Sequence, residues 1–209
     1  MNGKADEYKS KRLPPLLPKT SRAAQYHEQV FLSTLRDRLE QLNRLPLTVF
    51  VCGPSEESNP VTKKKLDTVN ELRSLGHNAL IGEEIVQQLK DKDKSDGRPL
   101  RPDNIYEIEV ARASDLVVIF RASPGAVAEF HEFQAVPEIA AKTLVFADKA
   151  HEASYSSAGA LTMHDKLYGK VEFYTSPDDL DKCLLKERVI RVVEFYQAAK
   201  WLRELGVSR

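Results

Sequence analysis

Between Leu47 and Tyr174, short β-branched and apolar runs alternate with longer segments whose apolar residues recur at helical spacing. Leu47-Thr-Val-Phe-Val-Cys52, stopped by Gly53-Pro54, reads as a buried strand. Thr62 to Leu75 predicts a helix with Leu66, Val69 and Leu72 on one side and Gly76 as its stop. His77 to Ile81 is a weaker second strand, Glu83 to Leu89 a short helix, and 91–102 a polar loop containing Gly97, Pro99 and Pro102. Asp103 is expected to cap a helix that runs to Ala113. Asp115-Leu-Val-Val-Ile-Phe120 is the clearest strand of the chain. Ser123-Pro124-Gly125 introduces the next helix, and Thr143 to Ala147 and Val171 to Tyr174 read as the fourth and fifth strands. This order predicts an α/β fold: a parallel sheet of about five strands with helices on both faces.

The flanks differ in character. Residues 1–20 are polar, basic and broken by Pro14, Pro15 and Pro18, and read as a disordered arm. Ser21 to Arg44 carries Val30, Phe31, Leu35, Leu39 and Leu42 at helical spacing. Asp178 to Leu205 predicts a long amphipathic helix or helix pair that packs on the sheet or supplies an oligomer contact. The resulting division is an arm at 1–20, an α/β nucleotide-binding domain at 21–176 with its core at 47–148, and a C-terminal helical extension at 177–209.

Composition narrows the function classes. Of the 209 residues 42% are hydrophobic, and Lys+Arg and Asp+Glu balance at 31 each. A folded body without net positive charge is a poor general binder of nucleic acid, although the N-terminal arm is locally basic. Cys52 and Cys183 lie far apart and form no metal-type spacing, so neither a disulfide framework nor a structural zinc is expected, and Cys52 reads as a buried small hydrophobe. The five histidines show no ligand spacing, so neither a metal nor a cofactor is expected. No apolar stretch suits a signal peptide or a membrane span, and the expected location is cytoplasmic.

In an open α/β sheet, ligands bind beyond the carboxyl ends of the strands. Three loops leave those ends: Gly53-Pro54-Ser55, Gly82-Glu83-Glu84 and Ser123-Pro124-Gly125. Asp103 and Glu107 approach the same edge. Glu107 and Glu109 differ by two positions on one helix, so only one of them is expected to reach it. Ser123 suits an N-cap and Pro124 the first helical position. The free N–H groups of such a helix start suit a phosphate. Glu129 lies one turn beyond Gly125 on the same helical face, which leaves an open space above a carboxylate. A sugar ring fits that space, and a carboxylate there can stabilise or capture the positive charge that builds on an anomeric carbon. The rival reading makes Ser-Pro-Gly a plain helix start and Glu129 a solvated residue. Lys63-Lys64-Lys65 reads better as a solvated helix face than as a phosphate contact. Neither the dinucleotide fingerprint nor the P-loop is present.

The run from Val49 through Asp148 resembles the nucleoside 2-deoxyribosyltransferase-like group, which includes deoxynucleoside-monophosphate N-glycosidases and effectors of bacterial retron defence systems. The matching elements are Val49-Phe-Val-Cys-Gly53, Glu107 eight residues before Asp115, Asp115-Leu-Val-Val-Ile-Phe120, Ser123-Pro-Gly-Ala-Val-Ala-Glu129 and Leu144-Val-Phe-Ala-Asp148. The retron effectors look most similar. The resemblance implies a flavodoxin-like or deoxyribosyltransferase-like sheet. It also implies Glu129 as the catalytic carboxylate, Glu107 as a residue that binds the sugar or orients the nucleophile, and the Gly53 loop as a substrate contact. The family often has aspartate at the Glu107 position. The implied substrates are nicotinamide dinucleotide, a deoxynucleotide or a modified nucleotide, with the dinucleotide first. The implied partners are a second copy of the chain and a complex with a reverse transcriptase and its msDNA. A nucleotide-sensing module of the same fold and a TIR-like dinucleotidase are the alternatives. A phosphoribohydrolase of the lysine-decarboxylase-like type ranks below them, because the spacing from Pro124 to Glu129 is too short for its motif.

Overall fold

Five strands form one all-parallel sheet: β1 (Thr48–Cys52), β2 (Asn78–Ile81), β3 (Leu116–Arg121), β4 (Thr143–Asp148) and β5 (Val171–Tyr174). Their order across the sheet is β2-β1-β3-β4-β5, so the direction of strand addition reverses between β1 and β3. That reversal is the switch point at which a doubly wound sheet opens a crevice. The computed structural model describes residues 29–34, 37, 40, 45–151, 155–176, 178–181 and 184–206. The chain divides into two compact units, Met1–Gln41 and Leu42–Arg209. In the first, the described residues are helical. The arm expected at 1–20, part of the helix expected from Ser21 to Arg44, and Cys183 lie outside the described residues.

Strand side chains alternate between two separate cores, as a sheet covered on both faces requires. Val49, Val51, Leu116, Val118, Phe120, Leu144, Phe146 and Tyr174 face helices α1 (Pro60–Ser74) and α8 (Leu184–Glu204). Phe50, Cys52, Val117, Ile119, Val145 and Ala147 face the opposite layer. That layer holds α2 (Gly82–Ser95), α3 (Asp103–Ala113), α4 (Pro124–Gln134), α5 (Pro137–Ala140) and α6 (Tyr155–Tyr168). A short α7 (Asp178–Asp181) precedes α8. The C-terminal helix therefore belongs to the same compact unit as the sheet, with Leu185, Val189 and Val193 buried on it.

Several boundaries differ from the sequence pattern for identifiable reasons. Helix α1 starts at Pro60 because Asn59 caps it, its Oδ1 accepting from the Val61 N–H at 3.0 Å. Its buried stripe is Val61, Lys65, Thr68, Val69 and Leu72, while Leu66 is exposed. Helix α2 extends to Ser95, into the expected loop, because Asp93 turns inward. At α3 the cap position belongs to Pro102, and the Asp103 carboxylate pairs with Lys90 instead. Helix α6 had no clear signature. Its exposed positions include Met163 and Leu167 while buried His164 donates from Nε2 to the Thr143 carbonyl, so its polarity runs against its burial.

The inward turn of Asp93 joins α2 to α3. The hydroxyl of Tyr106, fully buried, donates to Asp93 Oδ2 at 2.7 Å, and Arg98 and Arg101 approach the same carboxylate at 3.7 and 3.6 Å. The Arg101 guanidinium also stacks over the Tyr106 ring at 4.4 Å. Tyr106→Phe leaves a buried charged acceptor short of its donor, which costs about 2 kcal/mol. Urea unfolding of the variant is expected to show that loss as a lower midpoint at unchanged slope. An unshifted midpoint would mean that the two arginines already satisfy Asp93.

Candidate functional site

The site lies at the carboxyl tips of β1 and β3. The strand β1 ends in Cys52, fully buried, and three carboxylates act on that thiol: Glu129 most strongly, then Glu107 and Glu83. Burial is the first cause that pushes the thiol well above its ordinary range, and the three acids add to it. Glu83 comes from the first turn of α2, Glu107 from α3 and Glu129 from α4, so three helix-borne acids converge on one strand end.

The local sequence explains why Glu129 points there. Ser123 is the N-cap of α4, its Oγ accepting from the Ala126 N–H at 3.2 Å, and Pro124 occupies the first helical turn. Ala126, Phe130 and Phe133 bury one side of the helix against β1 and β3. Glu129 adjoins that side and is half-buried, with Oε2 sealed from solvent and without a hydrogen-bond partner among the described residues. A Cβ added at Gly125, one turn earlier, would meet nothing within 4 Å. Gly125 is itself exposed, so the space at this helix start is open.

The electrostatics follow from that placement. Burial first, then the Glu107 charge, raises the Glu129 carboxyl from 4.5 to about 7, with Glu83 adding to the shift. A hydrogen bond from the Cys52 thiol and the Lys65 charge pull it the other way. Glu107 is also raised, by burial and then by Glu132, Asp103 and Glu83, with Lys90 opposing. Its neighbour Glu109 is exposed and paired with Arg101. Of the two acids on α3, Glu107 is the one that reaches the cluster.

The remaining expected residues fall into two groups. Gly53 stands at φ +153°, and a Cβ there would lie 2.9 Å from Phe120 Cβ and 3.2 Å from its carbonyl oxygen. Its lack of a side chain is thus required for β1 to close on β3. Pro54 is buried and Ser55 exposed, and the loop is folded back by the Thr62 hydroxyl, which donates to the Glu56 carbonyl at 2.7 Å. Glu83 is half-exposed and pairs with Lys65.

Lys65 corrects the reading of Lys63-Lys64-Lys65 as a solvated face. Its side chain is only 2% exposed, and its Nζ lies 3.1 and 3.4 Å from the two Glu83 oxygens and 3.4 Å from the Gly53 carbonyl oxygen. The signal was present in the spacing: Lys65 is one turn after Val61 and one before Val69, on the buried stripe. Asn59 was also missed. Its Nδ2 donates to the Ala122 carbonyl at 2.8 Å, so the residue that caps α1 also ties the loop after β1 to the loop after β3. Asn59-Pro60 repeats the cap-proline pattern of Ser123-Pro124 and could have been read the same way.

Other features lie apart from this cluster. Among the described residues no group of acids, histidines and cysteines is arranged to hold a metal ion, and no helix is long and apolar enough to cross a membrane. A hollow of about 310 Å³ between α1 and α8, lined by Asp67, Glu71 and Lys186 among others, contains none of the three acids.

No curated protein matches the chain. The family described as STM3845 retron effector protein matches residues 63–199, about two thirds of the sequence, a span that includes Lys65, Glu83, Glu107 and Glu129. With a switch-point acid cluster on this fold and a match over most of its length, the chain belongs to the STM3845 retron effector protein family.

Proposed function

We propose that the chain breaks an N-glycosidic bond of a nucleotide, with Glu129 as the nucleophile or charge stabiliser, and acts as a nucleotide-depleting effector of retron-based antiviral defence. The observation that supports the chemistry best is the Glu129 carboxyl, desolvated at the switch point beneath the open space over Gly125. The family supports the defence role. In the reaction, the bond between C1′ and the base nitrogen breaks and its electron pair leaves with the base. A Glu129 oxygen bonds to C1′ or screens its charge until water or an acceptor base completes the exchange. In this reading a phosphate of the nucleotide lies at the α4 N-terminus. Glu107, whose charge helps to raise the Glu129 carboxyl, is the neighbouring acid in this reading.

The candidate substrates are nicotinamide dinucleotide, first, and deoxynucleotides. The test is to incubate the purified chain with each and measure released base by chromatography, with Glu129→Gln as the control. The same assay is repeated with a reverse transcriptase and its msDNA present, since such a partner would hold the enzyme inactive until triggered. Base release that depends on Glu129 is the expected result. Tight nucleotide binding without release by the isolated chain would replace the enzyme by a sensor, and release that falls when the partner is added would show the partner holding it inactive.

A further inference from the structure

We propose that Lys65 is the positioning residue of this site: it reaches across the tip of β1 beside Gly53 and holds Glu83 among the acids that surround Glu129. The inference rests on the reading of Glu129 as the reacting carboxylate, but its test needs no turnover.

The geometry carries it. Lys65 stands on a helix that packs on one face of the sheet, whereas Glu83 begins a helix on the other. The two meet over the end of β1, where the Lys65 stem runs past Gly53. A Cβ at that glycine would lie 3.4 Å from Lys65 Cδ, so the bare backbone leaves the stem its path. Stability alone does not call for a lysine here. Its position on the α1 stripe lies between Val61 and Val69, where an aliphatic side chain would pack, and replacing a buried ion pair by apolar groups is often neutral or stabilising. What an aliphatic residue could not do is offset the acids.

The groups that act on Glu129 come from four elements: the charges of Glu107 on α3, Glu83 on α2 and Lys65 on α1, and the neutral Cys52 thiol on β1. Glu107 in turn faces Glu132 on α4, Asp103 on its own helix, Glu83 and Lys90. Lys65 is a cation that opposes these acids at Glu129. Glu83, drawn to Lys65, is thereby both held in place and partly neutralised.

The experiment is a pH titration of ligand-free protein carrying ¹³C-labelled glutamate side chains, followed by NMR. The Glu129 carboxyl is identified by its loss in Glu129→Gln. Lys65→Met is expected to raise the Glu129 midpoint by about one pH unit, and Glu83→Gln to lower it by about half a unit. Opposite shifts are the signature, because general loosening of the site would move both variants the same way. If Lys65→Met fails to fold, Lys65→Gln replaces it with the same upward shift expected, and Glu83→Gln, half-exposed and shape-keeping, supplies the opposite arm. A Glu129 midpoint unmoved in Glu83→Gln, or moved upward, overturns the proposal. Opposite shifts with no base release from any nucleotide would leave the role of Lys65 standing and remove the glycosidase reading. Glu129-dependent base release with a fixed midpoint would do the reverse.

Discussion

Under the proposed glycosidase function, Glu129→Gln is expected to lower base release by roughly 10³-fold or more, while making the folded chain more stable. The two effects share one cause. Folding moves the carboxyl from 4.5 to about 7, so the native chain holds a proton that the unfolded chain releases between those values. Stability contributed by this group is therefore greatest at low pH and is lost as pH rises toward and through 7. A shift of that size corresponds to about 3 kcal/mol, and partial exposure reduces it to the order of 2 kcal/mol. Glutamine keeps the shape and carries no charge, so the variant gains this amount at pH 8 and loses most of the advantage by pH 4.5. Denaturant unfolding of both proteins at the two pH values measures it. An equal or lower stability for the variant at pH 8 would show that the carboxylate is not desolvated in solution, and the catalytic reading would lose its main support.

Gly53→Ala is expected to destabilise the fold by about 3 kcal/mol. A backbone at φ +153° is one that an L side chain rarely adopts, and the added methyl would be driven to 2.9 Å from Phe120 Cβ. Relief cannot come from a flexible side-chain end. Phe120 is fully buried, stacked on Phe146 at 5.2 Å, and the second close atom is a backbone oxygen within the sheet. Thermal and urea unfolding should both show the loss. A change under about 0.5 kcal/mol would mean that the β1 tip yields easily, and the close approach of β1 to β3 would not be fixed by this glycine.

The sheet was readable from the sequence because its strands are buried on both faces and their apolar runs are nearly uninterrupted. Leu116 to Phe120 is the clearest case. The convergence of Glu83, Glu107 and Glu129 was readable from topology, since each follows a strand end or begins a helix at that edge. Charged residues in buried roles were harder. Lys65 was lost in a run of three lysines, although its register on the α1 stripe marked it as internal. Asp93 was lost in a polar stretch, because nothing local announces its pairing with Tyr106, thirteen residues on. Helix α6 was missed for a related reason: buried His164 and exposed Met163 and Leu167 invert the pattern by which helices are recognised. In each case the deciding partner is distant in sequence.

The Asn59 side chain bears on how the crevice can widen. Because one amide caps α1 and also grips the Ala122 carbonyl, the rims above β1 and β3 form a single stitched jaw. Neither rim can swing out without breaking that stitch. If a nucleotide enters there, as proposed, its accommodation falls to the opposing jaw, the α2–α3 pair that bears Glu83 and Glu107.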